Sequence, residues 1–240
     1  MKRTMMTMLA AIMALGLSAQ IMDFPEYTKE LEGTVKGGGT SYLHISLAYP
    51  ENASPSSVTA MRKAISSIVN TSSIANEFGK VTANQPISRM ADYYVNSFTR
   101  GLKTQDVYPM TTYFLSVTAE HQNGNFVTFA VADGVYGNGG PLLSRVTVDK
   151  SNGNLLSNAY LVTLTNSQLR RIVMSHYECE SEFDEDTINN LSLDDVSVSF
   201  LEDGVNILWA VSSHFWQETT VPYSEMKPYL TVNARRLLGI

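Results

Sequence analysis

The sequence predicts an α+β protein: an antiparallel sheet built from hairpins and a meander, with two to four helices packed on it. Three observations lead there. From Thr111 onward the apolar period switches from helical spacing to two. An Asn123-Gly124 pair, the strongest short-range hairpin signal, separates two alternating runs. Helical and strand segments come in blocks instead of strict alternation, which argues against a parallel α/β sheet.

Taken in order, Gly33 to Thr40, with Gly37, Gly38 and Gly39 in succession, predicts a turn between two strands. A phosphate cradle needs a helix straight after the glycines. Here Tyr42 to Tyr49 alternates instead, with Leu43, Ile45, Leu47 and Tyr49 on one face and His44 and Ser46 on the other. Pro50 closes that strand, and Ser54-Pro55 opens a helix with a capping serine and proline at its first position. Val58, Met61, Ile65 and Ile68 give its buried stripe, ending near Asn70. A second helix starts around Ile87 and buries Met90, Ala91, Tyr94, Val95, Phe98 and Leu102, with Gly101 near its end.

Tyr113, Leu115, Val117 and Ala119 alternate up to the Asn123-Gly124 turn, and Phe126 to Val131 returns the chain. Gly137-Asn138-Gly139-Gly140 leads into Leu142 to Asp149, and Ser151-Asn152-Gly153 turns into Leu155-Leu156. Thr111 to Leu161 thus predicts a meander of about four strands. Asn166 is expected to cap a helix carrying Leu169, Ile172, Val173 and Tyr177. The acidic stretch Glu178 to Asp186 follows and is expected to be a solvated charge run. Val196, Val198 and Phe200 pair across Asp203-Gly204 with Val205, Ile207, Trp209 and Val211. Val221 to Leu230 closes with a strand end and a serine-capped helical turn. Residues 20–110 form an N-terminal strand and two-helix part, and 111–240 a sheet part, expected to make one compact unit.

Residues 1–19 decide the location. Lys2-Arg3, the apolar run Met5 to Leu17 and the small pair Ser18-Ala19 predict a secretory signal peptide cleaved near Ala19, hence a periplasmic or secreted protein. Losing Lys2 and Arg3 takes the formal charge from −6 to −8. Arg170-Arg171 and Arg235-Arg236 are isolated pairs, so no basic patch offers itself to nucleic acid. No later segment has the length of a membrane helix, so no membrane anchor is expected. Cys179 is the single cysteine, which excludes an intramolecular disulfide.

No reaction is legible. His44, His121, His176 and His214 lack zinc-site spacing, the acidic stretch lacks a calcium-loop frame, and no serine has a nucleophile elbow. Neither metal nor cofactor is expected. Asp133, Asp149 and His121 remain as a conceivable acid-base set for an enzyme acting on cell-wall material. The candidate ligand-binding residues are the aromatics near loops, Tyr136, Phe215, Trp216 and Tyr223. Asn138, Gly139 and Gly140 join them, in a loop whose backbone amides can approach a ligand.

The order of signals resembles a known family. An Ala-Tyr-Pro strand end, two helices, a long hairpin, Tyr136-Gly137-Asn138-Gly139-Gly140, the turn Asp149-Lys150-Ser151-Asn152-Gly153, a helix, a hairpin and the closing Val221-Pro222-Tyr223-Ser224-Glu225-Met226 are similar to one extracytoplasmic module. It occurs in lysozyme-sensing anti-sigma factors of the sigma-V type and beside the catalytic domain of some peptidoglycan deacetylases. The resemblance implies a stand-alone, non-catalytic envelope module that binds a protein such as lysozyme or a cell-wall glycan. The chain departs from the family where Pro141-Leu142 replaces Ala-His after the glycines, so that histidine's role does not carry over. Ser213-His214-Phe215-Trp216 stands where the family has a tyrosine-rich stretch. The alternatives are a cell-wall hydrolase or deacetylase-like enzyme, and a structural envelope protein that self-associates by a sheet edge.

Overall fold

The computed structural model describes residues 21–83, 85–137, 139–178, 182–212 and 215–240. The expected leader lies outside them, as do Asn138, Cys179, Glu180 and His214. Among the described residues no helix is long and apolar enough to cross a membrane.

A five-stranded sheet, in the order β1-β2-β3-β4-β5, is built from β1 (Glu26–Thr34), β2 (Thr40–Ala48), β3 (Thr112–Gln122), β4 (Phe126–Tyr136) and β5 (Leu142–Asp149). Its pairs are antiparallel except one: β2 and β3 run parallel, Tyr42 beside Thr112 and Leu47 beside Val117. A parallel pair needs a long crossover. Here it is α1 (Pro55–Val69), α2 (Ser73–Phe78) and α3 (Ile87–Thr104), which carry the chain from the Ala48 end of β2 back to its Thr40 end. The sheet is thus antiparallel as expected, with this one parallel pair inside it.

These helices cover one face. Ser54 caps α1 by accepting from the Ser57 N–H, and Asn70 ends it, as the sequence predicts. The stripe Met90, Ala91, Tyr94 and Phe98 of α3 meets Leu43, Ile45, Tyr113, Leu115 and Phe129 from the sheet in one core. Each such fully buried large side chain contributes about 1.5–3 kcal/mol. Residues on both sides of position 110 enter this core, so β3 to β5 belong with the N-terminal helices.

A second core is built mainly from residues beyond β5, with Phe126 of β4 entering it. The three-stranded antiparallel sheet β6 (Val196–Phe200), β7 (Gly204–Ser212) and β8 (Phe215–Pro222) packs with α4 (Asn158–Leu161), α5 (Asn166–His176), α6 (Glu182–Asn190), α7 (Tyr223–Met226) and α8 (Val232–Leu238). Trp209 is fully buried there, edge-on to Tyr177.

Several local expectations need correction. The meander has three strands, and Leu155 makes only an isolated bridge to Val148. Thr165, one residue before Asn166, caps α5 in a reciprocal box with Gln168. Asn166 instead accepts from the Leu193 N–H. No side chain caps α7, so Ser224 is not its cap. Asp184 of the acidic stretch is not solvated: it is 7% exposed and accepts from Gln217 Nε2 at 2.8 Å, tying α6 to β8.

The two sheets join through side chains. Ser197 donates to the Arg145 carbonyl at 2.5 Å, Thr128 donates to the Phe200 carbonyl at 2.7 Å, and Thr147 accepts from the Phe200 N–H. Hydroxyls from β4, β5 and β6 thus stand in for a backbone ladder. Arg145, 9% exposed, closes the junction: Nε and Nη2 donate to Glu120 at 2.6 and 2.8 Å, and Nη1 reaches Glu218 and Asn206.

Candidate functional site

Four exposed apolar side chains gather at one end of the first sheet. Met110 donates its N–H to the Thr40 carbonyl, Ser41 Oγ donates to the Tyr108 carbonyl at 2.6 Å, and Tyr136 pairs with Thr112. The β1–β2 turn, the α3–β3 connection and the β4–β5 loop therefore form a single rim. On it Tyr108 is 62% exposed, Met110 74%, Tyr42 46% and Leu142 47%. Met110 also holds a left-handed backbone, φ 54°, a conformation that costs an unbranched residue about 1 kcal/mol. Strained, exposed apolar residues of this kind cluster at binding surfaces.

Tyr136, one of the expected binding residues, sits on this rim, half-buried at the end of β4 with its phenol pushed up by burial. Its ring lies over Gly134, where an added Cβ would come 3.0 Å from Tyr136 Cδ1 and 3.2 Å from Pro141 Cα. Gly139 and Gly140 continue the loop, Gly139 at φ 113°. Asn138 lies outside the described residues. Tyr42, Tyr108 and Met110 were missed by sequence reasoning. The available signal was Tyr108-Pro109-Met110, bulky residues around a proline, where a loop usually carries small polar ones.

Next to the rim the outer face of β1 and β2 bears a shallow groove of about 390 Å³ lined by Glu30, Glu32, Tyr42 and His44. His44 stacks on Phe114 with ring centroids 4.4 Å apart and meets Glu30 at 3.0 Å. The surface is aromatic with an acidic border.

Phe215 and Trp216 open β8, Phe215 56% exposed and Trp216 half-buried. Tyr223 follows the other end of that strand, roughly 24 Å away by strand rise. Its hydroxyl donates to the Leu201 carbonyl at 2.6 Å, its ring packs edge-on to Phe200, and burial raises its pKa. Tyr223 thus ties the β6–β7 turn to α7. The six described residues of the expected set do not share one cleft.

The conceivable acid-base set also separates. Asp133 pairs with Leu142 and Asp149 with Phe126, at opposite ends of one hairpin. Their separation is again roughly 24 Å, far beyond the ~5–9.5 Å between glycosidase carboxylates. Asp133 lies within β4 and accepts from Ser73 N and Oγ at 2.8 and 2.9 Å, holding the first turn of α2. Burial raises its pKa, against the Ser73 hydrogen bonds that lower it. Burial lowers the His121 pKa, and its ring packs against Phe126. Among the described residues no three metal-binding side chains converge.

Lys150 is a second buried cation, besides Arg145. It is 5% exposed, donates to Gln122 Oε1 at 2.8 Å and the Asn123 carbonyl at 2.7 Å, and is pushed down by burial to about 8. The unfolded chain therefore binds more protons than the folded one between about pH 8 and 10.5, so this group's contribution to stability rises with pH there. Urea unfolding at pH 7.5 and 9.5 should show wild type gaining on the order of 1–2 kcal/mol relative to Lys150→Met. Parallel curves would refute the depressed pKa.

No family model and no curated protein matches the chain. Solved structures do. A DUF3298 family member from Bacteroides fragilis superposes with TM-score 0.65 at 12% identity, covering 90% of this chain and 96% of that one. A DUF3298 protein from Pseudomonas aeruginosa PAO1 superposes with TM-score 0.56 at 13% identity, covering 91% and 98%. The chain shares their fold. At such identity the likeness extends to architecture and not to residues, but it spans nearly the whole of both bacterial proteins.

Proposed function

We propose that this protein is an exported, non-catalytic binding module of the bacterial cell envelope, taking a protein such as lysozyme or a cell-wall glycan at the rim around Tyr136. The observation that carries this reading is the cluster of Tyr42, Tyr108, Met110 and Tyr136, side chains that fill no core yet are gathered from β2, the α3–β3 connection and β4. Tyrosine and methionine supply contact area at protein interfaces, and tyrosine rings stack on sugars. The acidic groove beside them suits a basic protein partner. The leader-like N-terminus, the order of motifs shared with the anti-sigma module and the DUF3298-like fold support the envelope setting. Self-association through β1 is disfavoured because Glu26, Glu30 and Glu32 line its outer face, a charge pattern that blunts sheet edges.

The test is retention on immobilised lysozyme and on purified peptidoglycan. One of the two should retain the chain, and Tyr108→Ala with Met110→Ala should weaken that retention by about tenfold or more while leaving the melting temperature within about 2 °C. Retention on neither, or full retention of the double variant, refutes the reading.

A further inference from the structure

The strand β1 is an open edge of the first sheet. All nine of its residues pair with β2 without a register shift, and among the described residues no strand lies on its other side. Sheet edges are commonly blunted by proline, bulges, shortness or charge. This one is long, unbulged and free of proline, which leaves charge alone. The ladder decides which backbone groups face outward. Glu51 donates its N–H to the Asp23 carbonyl and Tyr49 to the Pro25 carbonyl, so along the same register Tyr27, Lys29 and Leu31 hold the hydrogen-bonded pairs. The N–H and C=O of Thr28, Glu30 and Glu32 therefore point away from the sheet, and among the described residues no group bonds them.

The two faces of β1 differ. Glu26, Glu30 and Glu32 are exposed on the outer face, where Tyr42 and His44 share the groove of about 390 Å³ with the last two. His44 and Ser46 are the side chains that meet these glutamates, and among the described residues no lysine or arginine pairs with them. Tyr27 and Leu31 lie on the helix-covered face, packed against the first core. There Tyr27 lines a largely apolar recess of about 260 Å³ with Tyr49, Val58, Arg62 and Ile87. Lys29 is on this face too, its ammonium 5.1 Å from the Tyr27 ring centre. A copy of β1 brings a like charge pattern to the edge, and a basic strand brings the opposite one.

We propose that β1 takes an extended segment of another protein as an added strand, one that alternates basic and apolar residues. Its backbone pairs with Thr28, Glu30 and Glu32, its cations lie across from the glutamates, and its apolar side chains turn to the face of Tyr27 and Leu31. In strand addition the ladder supplies affinity and alternate side chains supply specificity. Opposite charges directly across a ladder strengthen it, and like charges weaken it. The proposal does not depend on Tyr108, Met110 or Tyr136, so it stands apart from the reading of the rim.

The probe is a fluorescent nine-residue peptide alternating lysine and valine, titrated with the chain at physiological salt and read by anisotropy. Saturable binding is expected below about 1 mM, with an alternating glutamate and valine peptide at least about tenfold weaker. Two further peptides carry N-methyl groups, one on every lysine nitrogen and the other on every valine nitrogen. An added strand presents only one of these rows of N–H groups to β1, so one methylated peptide should lose about tenfold or more while the other keeps the parent affinity. Loss with methylated lysines marks antiparallel addition, and loss with methylated valines parallel addition. Thr28→Pro removes an outward N–H and leaves the bonds to β2, so it should weaken binding by about tenfold while lowering the melting temperature by no more than about 3 °C. Glu30→Gln with Glu32→Gln should weaken it about fivefold. No saturation up to about 1 mM, equal affinities of the two methylated peptides, or equal binding of the basic and acidic peptides would overturn the proposal, and the methylated peptides decide on the unaltered chain even where Thr28→Pro does not fold. Tyr108→Ala with Met110→Ala is expected to bind the peptide as wild type does, which separates this result from that of the rim.

Discussion

Replacing Arg145 with methionine is expected to lower the melting temperature by roughly 6–12 °C, the result of losing about 3 kcal/mol in a domain of this size. The reason is the place of this side chain and not the number of its bonds. Arg145 stands on β5 with its guanidinium between Glu120 of β3 and Glu218 of β8, so one cation neutralises carboxylates from both sheets. Asn206 of β7 adds an amide to the same group and also donates to Glu218 at 3.1 Å. Methionine fills much of the volume but leaves two carboxylates facing each other at the junction. Adding Glu120→Gln and Glu218→Gln to Arg145→Met should restore most of the loss, because removing a whole ion cluster around a buried arginine is milder than orphaning part of it. Thermal unfolding of the three proteins decides. A single variant melting within about 2 °C of wild type would show that the sheets do not depend on this cluster.

Gly153→Ala is expected to cost about 3 kcal/mol for a different reason. The glycine ends the turn after β5 with φ +70°, and a Cβ there would lie 2.0 Å from the Ala60 carbonyl oxygen and 2.8 Å from its carbon. Both atoms belong to the backbone of α1, so no rotamer change relieves the clash. The turn cannot easily move away either. Asp149 binds Ser151 and Asn152, Gly153 donates to the Asp149 carbonyl at 2.8 Å, and Lys63 of α1 reaches Asn154 Oδ1 at 2.7 Å. Gly140→Ala is the control. No atom lies within 4 Å of its added Cβ, so its stability should stay within about 0.5 kcal/mol of wild type. Equal stabilities of the two variants in urea would refute the close approach.

The helices and hairpins were legible because their signals are local. The period of Met90, Tyr94 and Phe98, the Ser54-Pro55 start and the Asn123-Gly124 turn each act over a few residues, and the structure forms each of these elements. The short helices were not legible. Six-residue α2 has too few turns to show a period, and its N-terminus is held by Asp133 from sixty positions away. The cap of α5 was misplaced by one residue because Thr165 and Asn166 are both good capping residues, and only the partner Gln168 separates them. Asp184 looked like surface charge among its acidic neighbours, and its burial depends on Gln217 of β8.

The candidate sites followed the same division. Aromatics near loops could be named from the sequence, and Tyr136 does stand on the exposed rim. Which aromatics share a surface could not. Tyr42, Tyr108 and Tyr136 are brought together by the parallel pairing of β2 with β3 and the antiparallel pairing of β3 with β4. Tyr223, equally prominent in the sequence, is spent on the Leu201 carbonyl.

By itself, then, the sequence determined the α+β class, the longer elements, the acidic charge and the expectation of export, because propensity, periodicity and net charge are properties of neighbouring residues or of simple sums. Tertiary structure alone decided the parallel crossover, the division into two cores, the Arg145 junction, the rim and the open edge at β1. Each of these depends on which distant residues meet, and a chain's local preferences are nearly the same whichever way its strands are ordered.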